Sequence, residues 1–150
     1  MAGALRYVAV SCLVLIQACA APGPEHDDSL YRALGERPGI TAIVDETLRT
    51  ISRDRRIVEV FADADISRVQ EKLVEQICDI SGGPCEYSGD PMDEAHADLD
   101  IAPPEFNAFV EDLQIAMERL SIPISAQNRL VARFAPMRED ILNGQAADAR

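Results

Sequence analysis

The chain has 150 residues, 47 % hydrophobic and 27 % charged, which is the composition of an ordinary globular domain and not of a disordered one. Its net charge of −12 argues against a nucleic-acid surface, which needs clustered Lys and Arg, and against adhesion to anionic lipid through a basic patch. Aromatics are only 5 % and Trp is absent, so a single core built mostly of Ile, Leu, Val and Ala is expected.

Residues 1–18 read as an address. One cation, Arg6, precedes an apolar run from Tyr7 to Ile16. That run is shorter than the roughly 20 apolar residues that span a bilayer, and the order of regions is that of a secretory signal. It closes on Leu15-Ile16-Gln17-Ala18-Cys19, which resembles the lipobox of bacterial lipoproteins. The resemblance implies cleavage before Cys19, a diacylglycerol on its thiol and a membrane partner through that anchor. A conventional signal cut nearby, or an uncleaved anchor, is the alternative. Residues 19–28 then form the lipidated Cys and a polar, Pro-containing tether in which His26 is a solvated linker residue. Ala20 after the Cys favours the outer membrane by the enteric sorting pattern. The expected location is therefore the bacterial envelope, at the outer membrane or its periplasmic face.

Export bears on the remaining cysteines. Cys78 and Cys85 are an even pair in an oxidising compartment, with a Gly82-Gly83-Pro84 turn between them. They are read as a disulfide in preference to two free thiols. Closing so short a loop contributes roughly 2–3 kcal/mol on the chain-entropy view. The spacing matches no zinc pattern.

From Ser29 onward the periodicity is helical and strand signals are nearly absent. Ile40, Ile43, Val44, Leu48 and Ile51 recur at three- and four-residue spacing after Pro38, a suitable first-turn residue. Ile66, Val69, Leu73, Ile77 and Ile80 make a second stripe, capped by Asp63 or Asp65 and stopped by Gly82-Gly83-Pro84. Glu86 to Pro91 is a loop by composition. A short helix is expected from Pro91 to Leu99, with Met92, Ala95, His96 and Leu99 on one face, so that His96 projects toward the core. Phe106, Phe109, Val110, Leu113, Met117 and Leu120 form the clearest stripe, entered through Pro103-Pro104. Leu130, Phe134, Met137 and Ile141 mark a final helix that Pro136 should kink or break. Residues 143–150 are expected to form a flexible tail.

Taken by itself, an inward His is more often a satisfied core residue than a ligand. A protein-only metal site usually needs three or four ligands, and the periodicity points Asp93, Glu94 and Asp98 outward. Haem is the exception, because its porphyrin supplies four nitrogens and one neutral imidazole completes a five-coordinate iron.

At this point the chain from Ser29 to Leu142 resembles a group 1 truncated haemoglobin. The matching pieces stand in the family's order: Ser29-Leu30-Tyr31 with Leu34-Gly35, Ile43-Val44-Asp45, Val60-Phe61, Gly82-Gly83-Pro84 with Glu86-Tyr87 and Gly89, Met92 with Glu94-Ala95-His96 and Ile101, and Ala135-Pro136 with Arg138 and Asp140. The resemblance implies an all-α, two-over-two helical sandwich over residues 29–142, haem b as cofactor and His96 as proximal iron ligand. It places Phe61 against the porphyrin face and Met92 on the proximal side; plain core packing is the alternative for each. It pairs Lys72, the only lysine, with a haem propionate, against a solvated helix face as alternative. It sets Tyr87 at the propionate edge.

The chain departs from the family on the distal side. Members that hold oxygen tightly present a Tyr and a Gln there. The matching positions are Leu48 and Leu73, with Val69 as a third distal position. With Phe61 these make an apolar pocket without a donor. A polar hydrogen bond to bound dioxygen is worth about 1.5–3 kcal/mol, or roughly tenfold to a hundredfold in affinity, so fast oxygen dissociation is expected. Thr47 replaces a family Phe, and its hydroxyl is read as bonding back to the carbonyl of Ile43. The family's early Gly-Gly is Gly35-Glu36 here.

The leading expectation is an exported, lipid-anchored, haem-binding globin that takes a diatomic gas: oxygen, carbon monoxide or nitric oxide. A haem enzyme, nitric oxide dioxygenase or peroxidase-like, ranks below it because polar distal groups are missing. A haem-free lipoprotein that keeps the globin scaffold is the third reading.

Overall fold

The apolar periodicity becomes seven α-helices in the computed structural model, which describes residues 27–143. Cys19, His26, the signal and residues 144–150 lie outside the described residues. The described residues form no strand.

Helix α1 (Ser29–Ala33) buries Leu30 and is followed by the buried Leu34. Gly35, at φ 85°, turns the chain into α2 (Glu36–Ile51). Glu36 also lies in the left-handed region, at φ 58°, where a residue with a Cβ is strained by roughly 1–2 kcal/mol. The Gly-to-Glu departure thus falls on a residue held in the left-handed region. Pro38 falls within the first turn of α2. Ile40, Ile43, Val44 and Ile51 are buried along it, and Thr47 Oγ1 donates to the Ile43 carbonyl at 2.8 Å.

A single 3₁₀ turn, Val58–Phe61, leads to α3 (Ile66–Ile80). Asp65, not Asp63, caps it: its carboxylate accepts from Ser67 N at 3.0 Å and Arg68 N at 3.2 Å. α3 ends at Gly82, which takes φ 82°. Helix α5 (Pro103–Arg119) starts with prolines where no backbone donor is needed. α6 (Ile124–Phe134) ends one residue before Ala135-Pro136. A 3₁₀ turn, Ala135–Met137, then hands over to α7 (Arg138–Asn143), so of the kink or break expected at Pro136 the chain shows the break.

α2 packs on both α3 and α5, and α5 on α6, giving the two-over-two sandwich. Its main core joins Leu30, Leu34, Ile40, Ile43, Val44, Val74, Ile77, Leu113, Met117, Leu130 and Phe134. A second cluster, Ile51, Ile57 and Ala108, closes the other end of α2.

The short helix differs from expectation. α4 covers only Met92–Ala95, and His96 leaves it at φ −120°. Asp98 and Asp100 follow where the C-terminal end of a helix disfavours negative charge, and Asp100 turns the chain at φ 46°.

Candidate functional site

Between α3, α4, α5 and α7 lies a cavity of about 580 Å³. This is within the roughly 300–1,000 Å³ typical of small-molecule and cofactor sites. Val69 and Leu73 of α3 face it, as do Val60 and Phe61 from the preceding turn. Phe106 and Phe109 of α5 contribute, and Met137 and Ile141 close it beyond the proline break. Met92, Ala95, His96 and Leu99 all line it.

His96 therefore does not enter the core as expected; it is half-buried at the cavity wall. The helix that carries it is too short to pack into the core, and Leu99 beside it is 42 % exposed. His96 Nδ1 lies 2.7 Å from the Met92 carbonyl oxygen. A carbonyl only accepts, so Nδ1 carries the proton and donates. In the neutral ring this leaves the lone pair on Nε2, the state a metal-ligating imidazole needs.

Phe61, Val69, Lys72, Leu73, Tyr87, Met92 and His96 are brought together around this one cavity. Leu48 is not. It is half-buried and packs against the two core clusters, so that position of α2 serves packing and does not line the cavity. Gln76 is a lining residue that the sequence reading missed. It is 8 % exposed, and its amide nitrogen donates to Met92 Sδ at 3.1 Å. The lining is thus not free of donors. Gln76 interrupts the apolar stripe between Leu73 and Ile77, and that interruption was its signal.

The cavity rim carries two cations one turn apart on α3, Arg68 and Lys72. Arg68 was also missed; its i,i+4 spacing to Lys72 was the available clue. Arg68 stands 3.9 Å from Asp90. Lys72 Nζ donates to Glu75 Oε2 at 3.0 Å and to Ser88 Oγ at 2.8 Å. That pairing raises the Lys72 pKa and lowers that of Glu75. Tyr87 donates its hydroxyl to the Asp90 carbonyl at 3.1 Å, and burial pushes its phenol up. Cys78 and Cys85 are joined by a disulfide, with Cα atoms 5.8 Å apart. Among the described residues no group of three or more His, Cys, Asp or Glu side chains is placed to hold a metal ion by itself.

A planar, mostly apolar group with two anionic arms fits these walls. Apolar side chains face both sides, one imidazole offers Nε2, and the cations stand together on α3 at the rim. The fold is that of a two-over-two globin.

The chain belongs to the bacterial-like globin family, which matches residues 29–143, and within it to the group 1 truncated haemoglobins. It is 36 % identical over 118 residues to the group 1 truncated haemoglobin of Nostoc commune, covering 77 % of this chain and 98 % of that protein. It is also similar in fold to the truncated haemoglobin of Tetrahymena pyriformis in its Fe(III) form, with a TM-score of 0.73 and 24 % identity over 75 % of this chain and 97 % of that one. The 2/2 haemoglobin of a Synechococcus species, solved in the cyanomet state with covalently attached haem, gives 0.72 at 22 % identity over 76 % and 98 % of the two chains.

Proposed function

We propose that the chain binds haem b in this cavity, held by His96, and takes up a diatomic gas. The observation that carries this reading is the 2.7 Å bond from His96 Nδ1 to the Met92 carbonyl, made at the wall of a cofactor-sized apolar cavity. Haem, when bound, would supply an iron that one imidazole ligates and that can take up oxygen, carbon monoxide or nitric oxide.

The chain's own residues hold and tune that site. The Met92 carbonyl fixes the His96 tautomer and ring orientation. Phe61, Val69, Leu73 and Met92 exclude water. Arg68 and Lys72, both at the cavity rim, are the partners for the propionates. Val69 and Leu73 offer bound gas no hydrogen bond, and the Gln76 amide is engaged with Met92 and Met137 Sδ, which supports fast oxygen dissociation. We place the protein in the bacterial envelope, lipid-anchored through Cys19, on the strength of the signal and lipobox pattern. No helix of the described residues is long and apolar enough to cross a membrane.

The test is an absorption spectrum of the purified protein after haem addition, beside His96→Ala. A sharp Soret band that shifts with carbon monoxide and collapses in the variant is expected. The same band in both proteins, or none above free haem, would leave a haem-free scaffold as the better reading.

A further inference from the structure

The chain between α3 and α4 returns along α3 and is fastened to it at successive levels. Gly83 N donates to the Cys78 carbonyl at 2.8 Å, and a Cβ on Gly83 would sit 2.6 Å from Cys78 Sγ, so only glycine lets the backbone lie this close. The Cys78–Cys85 disulfide follows. Next, Ser88 donates from its backbone N and its Oγ to Glu75 Oε2, at 3.3 and 2.9 Å, while its Oγ accepts from Lys72. Arg68 faces Asp90, and Gln76 reaches Met92 Sδ. The next residues are Met92–Ala95 and His96.

A four-residue helix does not hold its own position, since a single turn fixes several dihedrals for little bonding. Together with α7, which packs on α4, these fastenings to α3 help locate the His96 segment. Most are exposed hydrogen bonds and ion pairs, each worth little. The disulfide is the covalent one, and it sits at the start of the returning segment.

We infer that residues 83–92 are a strap that positions His96, and that thiol–disulfide exchange at Cys85 loosens the strap and releases haem. The inference rests on the haem reading above. Cys78 is fully buried and Cys85 is partly exposed, so an incoming dithiol attacks Cys85. Its thiolate bonds to Cys85 Sγ, the Cys78–Cys85 bond breaks, and Cys78 departs as a thiolate and takes a proton. The reagent's second thiol then closes on its own first sulfur, and Cys85 leaves and is protonated. Two electrons and two protons pass to the protein, and the dithiol ends as a cyclic disulfide. Arg37 Nη1, 3.5 Å from Cys85 Sγ, favours departure of the Cys85 thiolate in that second step.

The test measures haem transfer from the holoprotein to an excess of haem-scavenging apoprotein, with and without dithiol. It uses the wild type and the double variant Cys78→Ser/Cys85→Ser. The variant is expected to lose haem about tenfold to a hundredfold faster than the oxidised wild type, the range found when supporting groups of a metal ligand are removed. Dithiol should bring the wild type to the variant's rate and leave the variant's unchanged. Equal rates in oxidised and reduced wild type, whose sequence is untouched, would overturn the strap. Amide hydrogen exchange over residues 85–96 without haem supplies a second readout, with faster exchange expected on reduction. If no Soret band forms at all, the haem reading fails, and unchanged exchange on reduction then overturns the strap independently.

Discussion

Between α2 and α5, Ile40, Ile43, Val44, Leu113 and Met117 are wholly removed from water, and their close packing is the main hold between the two helices, with Arg119 of α5 bonded to Glu46 and Thr50 of α2 at the edge. Around His96 the situation is reversed. Ala95 and Leu99 are exposed, α4 is a single turn, and the segment is held by a disulfide, a Lys–Glu–Ser cluster and one amide–sulfur contact. One region stores stability in buried area, the other stores geometry in a few discrete bonds. A cavity that must admit a cofactor has to be lined by residues the core does not need.

The largest break in this contrast is Leu113→Ala. Leu113 is 0 % exposed in the main core, and truncation there should cost about 2–5 kcal/mol of unfolding free energy, read by urea titration. The haem spectrum at low temperature should remain that of the wild type; a loss of the Soret band there would mean that core and site are not separable.

Leu73→Gln should act first on the other region, although Leu73 also packs against the main core. It places a donor at the cavity wall and should slow oxygen dissociation by roughly tenfold to a hundredfold, measured by stopped-flow displacement with carbon monoxide. An unchanged off-rate would show that Gln76, already in the lining, supplies the donor instead.

The smallest effect sharpens the core itself. Asp112 is 1 % exposed on α5, and its Oδ2 has no hydrogen-bond partner. Burial, reinforced by Asp54, raises its pKa above 3.8. The folded chain thus holds this proton more tightly than the unfolded one. The ionised group destabilises the fold above its folded-state pKa, and that penalty is relieved as pH falls through it toward the unfolded value. Asp112→Asn should therefore be more stable than the wild type by on the order of 1 kcal/mol at neutral pH. The gap should close on acidification in parallel unfolding titrations; a gap that widens toward acid would contradict the assignment.

The sequence alone determined the long helices, because three- and four-residue apolar spacing, a cap at Asp63 or Asp65, Gly82, Pro103 and Pro136 act through local geometry and need no partner. His96 was singled out the same way, as an apolar-face histidine within a resemblance. Its depth was not legible, since the length of α4 depends on what packs against it. Leu48 and Gln76 show the same limit. Both lie in helical stripes, yet helix–helix packing turned Leu48 to the core clusters and Gln76 to the cavity. Tertiary structure also decided that Lys72 meets Glu75 and Ser88 and that the chain returns along α3 to His96. Periodicity reports which face of a helix is apolar. Only the assembled helices decide whether that face meets another side chain or an empty space shaped for a ligand.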